Sequence, residues 1–236
     1  MKKIILSACT FCLLTIAGSA QEKKSSNSGG VMLKGGVNFA NISVTDNGRV
    51  NEANMLTSFH VGLGFDIPLG EGFSLQPGLL FTGKGSKTEE GQPNTTTLYM
   101  KATSNPLYVE VPFNFVGKIA LSEYTRLYIG AGPYAAIGVG GKNKVESRLG
   151  NFTANSERSI VFSDDNPFTR TEENGGYGKL KRFDYGLNAV AGLDFNKFAI
   201  GAGYGYGLAK INSNTNNNAN DKGKHRVLSL SLAIKL

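Results

Sequence analysis

Hydrophobic and polar residues alternate along most of this chain with a period of two. The clearest case is the stretch Lys181–Ile211, which contains two alternating runs of about a dozen residues. In the first run the odd positions from Phe183 to Leu193 are apolar, and in the second the even positions from Phe198 to Leu208 are apolar. The opposite positions are mostly glycine or polar. This pattern predicts two strands, joined by a tight turn at 194–197, each with one apolar face and one small or polar face.

The same pattern predicts six further strands, at 31–44, 56–69, 73–83, 106–116, 124–141 and 225–236. They exceed the usual globular strand of about 5–6 residues and suit tilted strands that cross a bilayer with about 9–11 residues. Long polar connections at 45–55, 84–104, 142–179 and 211–224 alternate with short turns. The prolines at 77, 112 and 133 are expected at bulges or strand edges. The predicted fold is all-β, an eight-stranded antiparallel up-and-down transmembrane β-barrel.

A soluble barrel of the lipocalin type is the structural alternative. It would turn the apolar face inward around a small apolar ligand, and alternation alone does not choose between the two directions. Strand length, the alternation of long and short connections, and the small residues of the opposite face favour the membrane barrel. No run in the sequence approaches the roughly 18 apolar residues of a membrane helix.

The first 20 residues have the features of a cleaved secretory signal peptide. Lys2 and Lys3 precede an apolar segment at 4–17 and a small-residue site at 18–20. Residues 21–30 are then a flexible periplasmic lead-in, and 31–236 form the barrel domain in the outer membrane. Cys9 also fits a lipobox, which would make it a lipid anchor instead. Cys9 and Cys12 are the only cysteines, so the mature chain would have no disulfide and no thiolate.

Composition and motifs favour a protein without enzymatic activity, cofactor or metal. The formal net charge of +7 comes from scattered residues, which argues against a nucleic-acid partner and is compatible with solvated loops or anionic lipid head groups. Glycine-rich stretches at 78–84 and 130–135 lack the context of a phosphate-binding loop. Ser58, His60 and Asp66 share one face, but neighbouring same-face positions lie about 7 Å apart, too far for a catalytic set.

The inward positions carry charges of both signs, which predicts a network of ion pairs that fills the barrel. An eight-stranded barrel has room inside for little besides side chains. Glu110 is the predicted centre, with Arg126 or Lys34 as its partner. The predicted lumen polar network consists of Lys34, His60, Asp66, Glu110, Arg126, Arg182, Asp184, Asp194 and Lys235.

The loop predicted at 142–179 is the candidate binding region. It carries six basic and six acidic side chains together with Phe152, Phe162, Phe168 and Tyr177. Loops on a rigid scaffold are common sites of binding, although a solvated loop would have a similar composition. The oxygens of 164–166 are a weak calcium motif, because the spacing of an EF-hand is missing.

Three features resemble the small outer-membrane β-barrels of Bacteroidetes-type bacteria, the PorT-like or porin family. They are the segment Leu107–Phe113, the hairpin with its Asp-Phe-Asn-Lys turn and Tyr/Gly-rich return, and the final strand 226–236. The resemblance spans about 31–236 and implies an outer-membrane location with diverse roles. The expected function is a non-enzymatic barrel that anchors surface loops for adhesion, envelope integrity or partner binding, or an accessory of secretion.

A narrow pore for small solutes and the soluble ligand-binding barrel remain the alternatives. The expected partners are outer-membrane lipid and lipopolysaccharide, and an extracellular or periplasmic protein. A monomer is expected.

Overall fold

The computed structural model describes residues 29–46, 49–52, 55–91, 98–150, 152–163, 179–211 and 223–236. The predicted signal peptide and most of the lead-in lie outside these ranges, as do parts of the predicted long loops. In the described ranges no helix is long and apolar enough to span a membrane. These ranges form thirteen strands: β1 (Gly30–Asp46), β2 (Arg49–Glu52), β3 (Leu56–Gly70), β4 (Phe73–Gly83), β5 (Ser86–Glu90), β6 (Tyr99–Ala120), β7 (Thr125–Leu149), β8 (Phe152–Ser159), β9 (Val161–Ser163), β10 (Lys179–Lys181), β11 (Phe183–Phe195), β12 (Phe198–Gly207) and β13 (Lys224–Lys235).

Eight of these strands pair in a closed antiparallel ring, in the order β1, β3, β4, β6, β7, β11, β12, β13. The last strand returns to the first, with a register that runs from Met32 opposite Lys235 to Ser43 opposite Lys224. Closure satisfies the edge groups that an open sheet would expose to lipid. The predicted eight-stranded antiparallel barrel is therefore confirmed.

Side chains alternate between an apolar outer wall and a polar interior. On β3, Phe59 and Val61 are 46% and 45% exposed, whereas His60 between them is 4% exposed. On β13 the outer positions from Leu228 to Ile234 are similarly exposed. This direction is the reverse of a lipocalin-type barrel and gives the outer wall the apolar surface that lipid requires.

Aromatic side chains lie at both ends of the apolar wall. Near the short turns, the rings of Phe195 and Phe198 stack with centroids 4.7 Å apart. Near the long connections, Phe59 and Phe81 are paired at 6.0 Å, and Tyr206 also lies on the outer wall at this end. Such girdles mark the two interfaces of a membrane.

The long connections were predicted as loops, but parts of them form strands in the structure. β6 begins at Tyr99 rather than 106, and β7 continues to Leu149 rather than ending at 141. β5 pairs with the start of β6, and β8 pairs with the end of β7. Residues 142–149 do not alternate between apolar and polar, so periodicity gave no signal for a strand.

The prediction that the prolines at 77, 112 and 133 lie at bulges or strand edges was wrong. Register shifts fall at Pro68/Gly70 and at Leu107/Tyr108. Pro77, Pro112 and Pro133 lie opposite Phe113, Tyr134 and Leu187 without a shift. Each of these three prolines lacks a backbone donor but keeps the strand in register.

Candidate functional site

The barrel interior holds a buried charge cluster formed by Lys84, Glu110, Asp184 and Tyr134. Lys84 Nζ lies 2.7 Å from Glu110 Oε2 and 2.8 Å from Asp184 Oδ2. The Tyr134 hydroxyl donates to Asp184 Oδ2 at 3.2 Å, and its ring lies 4.1 Å from the Lys84 ammonium. The cluster joins the β4–β5 break to β6, β7 and β11. Because both carboxylates share one ammonium, the cluster links side chains from elements that follow one another in the ring, from the end of β4 to β11.

Toward the long connections, the cluster is covered by aromatic rings. The Tyr108 hydroxyl lies 3.3 Å from His225 Nε2, and both side chains are 1% exposed. Phe162 on β9 packs edge-on against Tyr108 at 5.8 Å. Gly138 makes room for this ring, since a Cβ there would lie 2.3 Å from it. This layer closes the interior at its outer end.

Toward the short turns, a chain of hydrogen bonds between polar side chains crosses the interior beside the cluster. His60 bonds to Asn38 Oδ1 through Nδ1 at 2.8 Å and to Ser231 Oγ through Nε2 at 3.0 Å. Asn38 donates to Thr82 Oγ1 at 2.9 Å. The chain links β13, β3, β1 and β4, so His60 has a structural partner at each ring nitrogen.

Two ion pairs lie nearer the short turns. Asp66 pairs with Lys118 and accepts a hydrogen bond from Gln76 at 3.1 Å. Asp194 Oδ1 lies 2.5 Å from Lys235 Nζ. Asp66 is thus held away from Ser58 and His60, and the three do not form a catalytic set.

The structure brings only part of the predicted network together. Lys34 lines the same cavity as Glu110 and interacts with it electrostatically. The ion-pair partner of Glu110, however, is Lys84, which the sequence pattern places in a loop. Arg126 lies opposite Asp194 in the register, far along β7 from Ala136, which lies opposite Glu110. The backbone of Arg182 takes part in the strand pairing, because its carbonyl oxygen accepts a hydrogen bond from the Gly138 amide at 2.7 Å.

The described residues line two small cavities inside the barrel, each of about 60 Å³. Lys34, Leu80, Pro112 and Asn114 line both, so these side chains form the partition between them. A water needs about 10–15 Å³ of such volume. Each cavity has room for a few waters.

Above the barrel, four strands form what is termed here the outer sheet: β5, residues 99–105 of β6, residues 142–149 of β7, and β8. Their order is β5, β6, β7, β8. One face carries cross-strand ion pairs, including Glu157 with Lys142 at 2.5 Å and with Lys144 at 3.1 Å. Hydrogen bonds from Lys142 and then Lys144 lower the pKa of the Glu157 carboxyl below its ordinary value.

The other face of the outer sheet carries an exposed apolar patch, bordered by charged positions such as Glu90 and Arg158. Phe152 is 83% exposed and Leu149 beside it is 53% exposed, with Met100 and Val145 nearby on the same face. Phe168, Tyr177 and residues 164–166 of the predicted binding loop lie outside the described residues. Within those residues no group of three or more His, Cys, Asp or Glu side chains is arranged to hold a metal.

A closed ring of eight strands, apolar outside and charged inside, defines a membrane-spanning β-barrel. Residues 19–213 match the family model of the outer membrane protein beta-barrel domain. The chain belongs to this family and is an outer-membrane protein.

Solved structures show a distant likeness to this barrel. Ail, the attachment invasion locus protein of Yersinia pestis, in complex with the heparin analogue sucrose octasulfate, is 16% identical over 89% of this chain and 99% of its own, with a TM-score of 0.37. Neisserial surface protein A is 12% identical over 89% and 99%, with a TM-score of 0.40. The translocator domain of the autotransporter NalP from Neisseria meningitidis is 10% identical over 100% and 97%, with a TM-score of 0.29. No curated protein matches the chain.

Proposed function

We propose that this outer-membrane protein is a non-enzymatic, non-conducting anchor that presents the outer sheet to a partner at the cell surface. The observation that carries this proposal is the exposed apolar patch on one face of that sheet, beyond the aromatic girdle. A contiguous apolar patch in water is a common mark of an interaction surface. The sheet continues from the end with the long connections, which is the outer side in barrels of this class.

The opposite face of the outer sheet favours an acidic partner. It carries five cations and three carboxylates, because alternate residues of each strand share a face. These are Lys87, Lys101, Lys142, Lys144 and Arg148 against Glu89, Glu146 and Glu157. The excess of positive charge would draw an acidic surface toward the sheet. Membership of the PorT-like group, with a role beside secretion machinery, stays a prediction.

The binding experiment compares the native protein with the triple variant Lys101→Gln/Lys142→Gln/Lys144→Gln, which leaves two cations against three carboxylates on this face. Purified protein is passed over carboxymethyl-dextran and over uncharged dextran in a biosensor. We expect salt-sensitive binding of the native protein to the charged surface and its loss in the variant. Equal binding by both proteins would contradict a role for the outer sheet.

The narrow pore is the second candidate, and the two interior cavities are the feature that favours it. Side chains that line both cavities, including Leu80 and Lys34, narrow the path between them, and the charge cluster lines the first cavity. We expect no discrete current steps when the native protein is reconstituted in planar bilayers. Reproducible steps would replace the anchor with the pore as the leading function.

A further inference from the structure

An arginine stands on the outer wall at the edge of the apolar belt. The outward positions of β13 are apolar from Leu236 up to Leu228, and the next outward position is Arg226. Lys224 follows two residues further on, again outward, because His225 between them is buried inside. Tyr206 on the neighbouring strand lies opposite Arg226 and belongs to the outer aromatic girdle. The two cations therefore stand where lipid tails give way to head groups.

The guanidinium of Arg226 is held in place before any ligand binds. Its carbon lies 3.6 Å from the centre of the Tyr206 ring. Nη1 donates to Gly207 O at 2.9 Å and to His225 O at 2.8 Å. Among the described residues, Nε and Nη2 make no hydrogen bond. The guanidinium fork, which suits a phosphate, is thus fixed in orientation, and its Nε and Nη2 donors are not engaged by the part of the chain that the structure describes.

A shallow apolar groove of about 650 Å³ lies on the same wall, nearer the short turns. Gly35, Ala191 and Ala202 form its floor, and the larger Ile200, Leu230 and Leu232 border it. At about 3.3 Å per residue, Leu230 and Leu232 lie roughly 13–20 Å along β13 from Arg226. An acyl chain attached to a head group has a length of this order, so a single lipid is long enough to reach both features.

We propose that Arg226, stacked on Tyr206, and the groove floored by Gly35, Ala191 and Ala202 bind one phosphate-bearing lipid of the outer leaflet. The phosphate receives hydrogen bonds from Nε and Nη2 of Arg226, and Lys224 adds a second positive charge. An acyl chain of the same lipid fills the groove. This site lies on the membrane-facing wall and is independent of what the outer sheet binds.

The experiment measures lipid retention by native mass spectrometry of the protein purified in detergent. The probes are bisphosphorylated lipid A and the same lipid without phosphates. We expect the native protein to retain the phosphorylated probe preferentially and Arg226→Gln to retain it about tenfold less, as for the loss of a charge-assisted hydrogen bond. Lys197→Gln is the matched control, since Lys197 is an exposed cation in the turn at the opposite rim.

The groove is tested separately with substitutions that fill it. Ala202→Leu should reduce retention of both probes, whereas Ala135→Leu, the same change on the outer wall away from the groove, should reduce neither. Inorganic phosphate added in excess should leave the lipid bound, because it lacks the acyl chain. Displacement by inorganic phosphate alone would show a free-anion site instead and would overturn the proposal.

Folding is controlled for each variant by the heat-dependent shift of its band on a gel. Arg226→Lys keeps the charge but loses the fork, and Tyr206→Leu removes the stacking surface, so both should give intermediate retention. If Arg226→Gln fails to fold, these two variants test the lipid site in its place. Retention of phosphorylated lipid equal to that of the native protein in all folded Arg226 and Tyr206 variants would refute the site.

Discussion

Lys84 carries one positive charge between two buried carboxylates, and its removal breaks the ion pair that each of them makes. The side chains of Lys84 and Asp184 are each 3% exposed, and that of Glu110 is 11% exposed. We expect Lys84→Met to lower the free energy of unfolding by about 3–5 kcal/mol, the usual cost of breaking a buried pair. The measurement is urea unfolding from lipid vesicles.

Lys87→Met is the control for this prediction, because Lys87 pairs with Glu89 in the outer sheet at about 30% exposure and should contribute little. Adding Glu110→Gln and Asp184→Asn to Lys84→Met should recover part of the loss. If Lys84→Met unfolds at the same urea concentration as the native protein, the cluster does not stabilise the barrel.

The residues of this cluster also show how far the sequence could be interpreted. Parity placed Glu110 and Asp184 inside the barrel, because a strand alternates without exception unless it bulges. The alternation shows whether a side chain points into the barrel, but it does not show how far along the barrel axis the side chain lies. The position along the axis is what separates Arg126 from Glu110. Lys84 was missed because the apolar alternation stops at Gly83, just before the break between β4 and β5. Predicting which charges pair therefore requires the register between strands as well as the alternation along each strand.

At the scale of the element, the hairpin of β7 and β8 is held in part by ion pairs in water. The hydrogen bonds from Lys142 and Lys144 keep the folded-state pKa of Glu157 below its ordinary value of 4.5. Their contribution to hairpin stability is therefore complete above that value and is lost as the pH falls through the folded-state pKa. A carbon-13 NMR titration of the Glu157 carboxyl should show a midpoint below 4.5.

The double variant Lys142→Met/Lys144→Met should return this midpoint to the ordinary range. A midpoint at or above 4.5 in the native protein would mean that the lysines do not hold the carboxylate in solution. The sequence alone did not suggest the hairpin, because its pairing depends on backbone bonds and on Glu157 lying opposite Lys144.

At the scale of the whole molecule, β13 joins both neighbours and completes the ring. It pairs with β12 over nine positions and with β1 over twelve. A chain that ends at Val227 would leave the edges of β1 and β12 unpaired in lipid, where each unsatisfied backbone group costs several kcal/mol. We expect this truncation to lose the faster-migrating unheated band that a closed barrel gives on a gel.

A variant in which an Asn-Gly turn replaces residues 144–157 provides the contrast for closure. It removes nearly all of the β7–β8 hairpin but none of the pairings between the eight ring strands on their shared membrane-spanning length. Its unheated band should therefore still migrate faster than the boiled one. Loss of that band in the hairpin variant would show that the outer sheet is needed to close the barrel, and the division between a self-sufficient anchor and a separate binding sheet would fail.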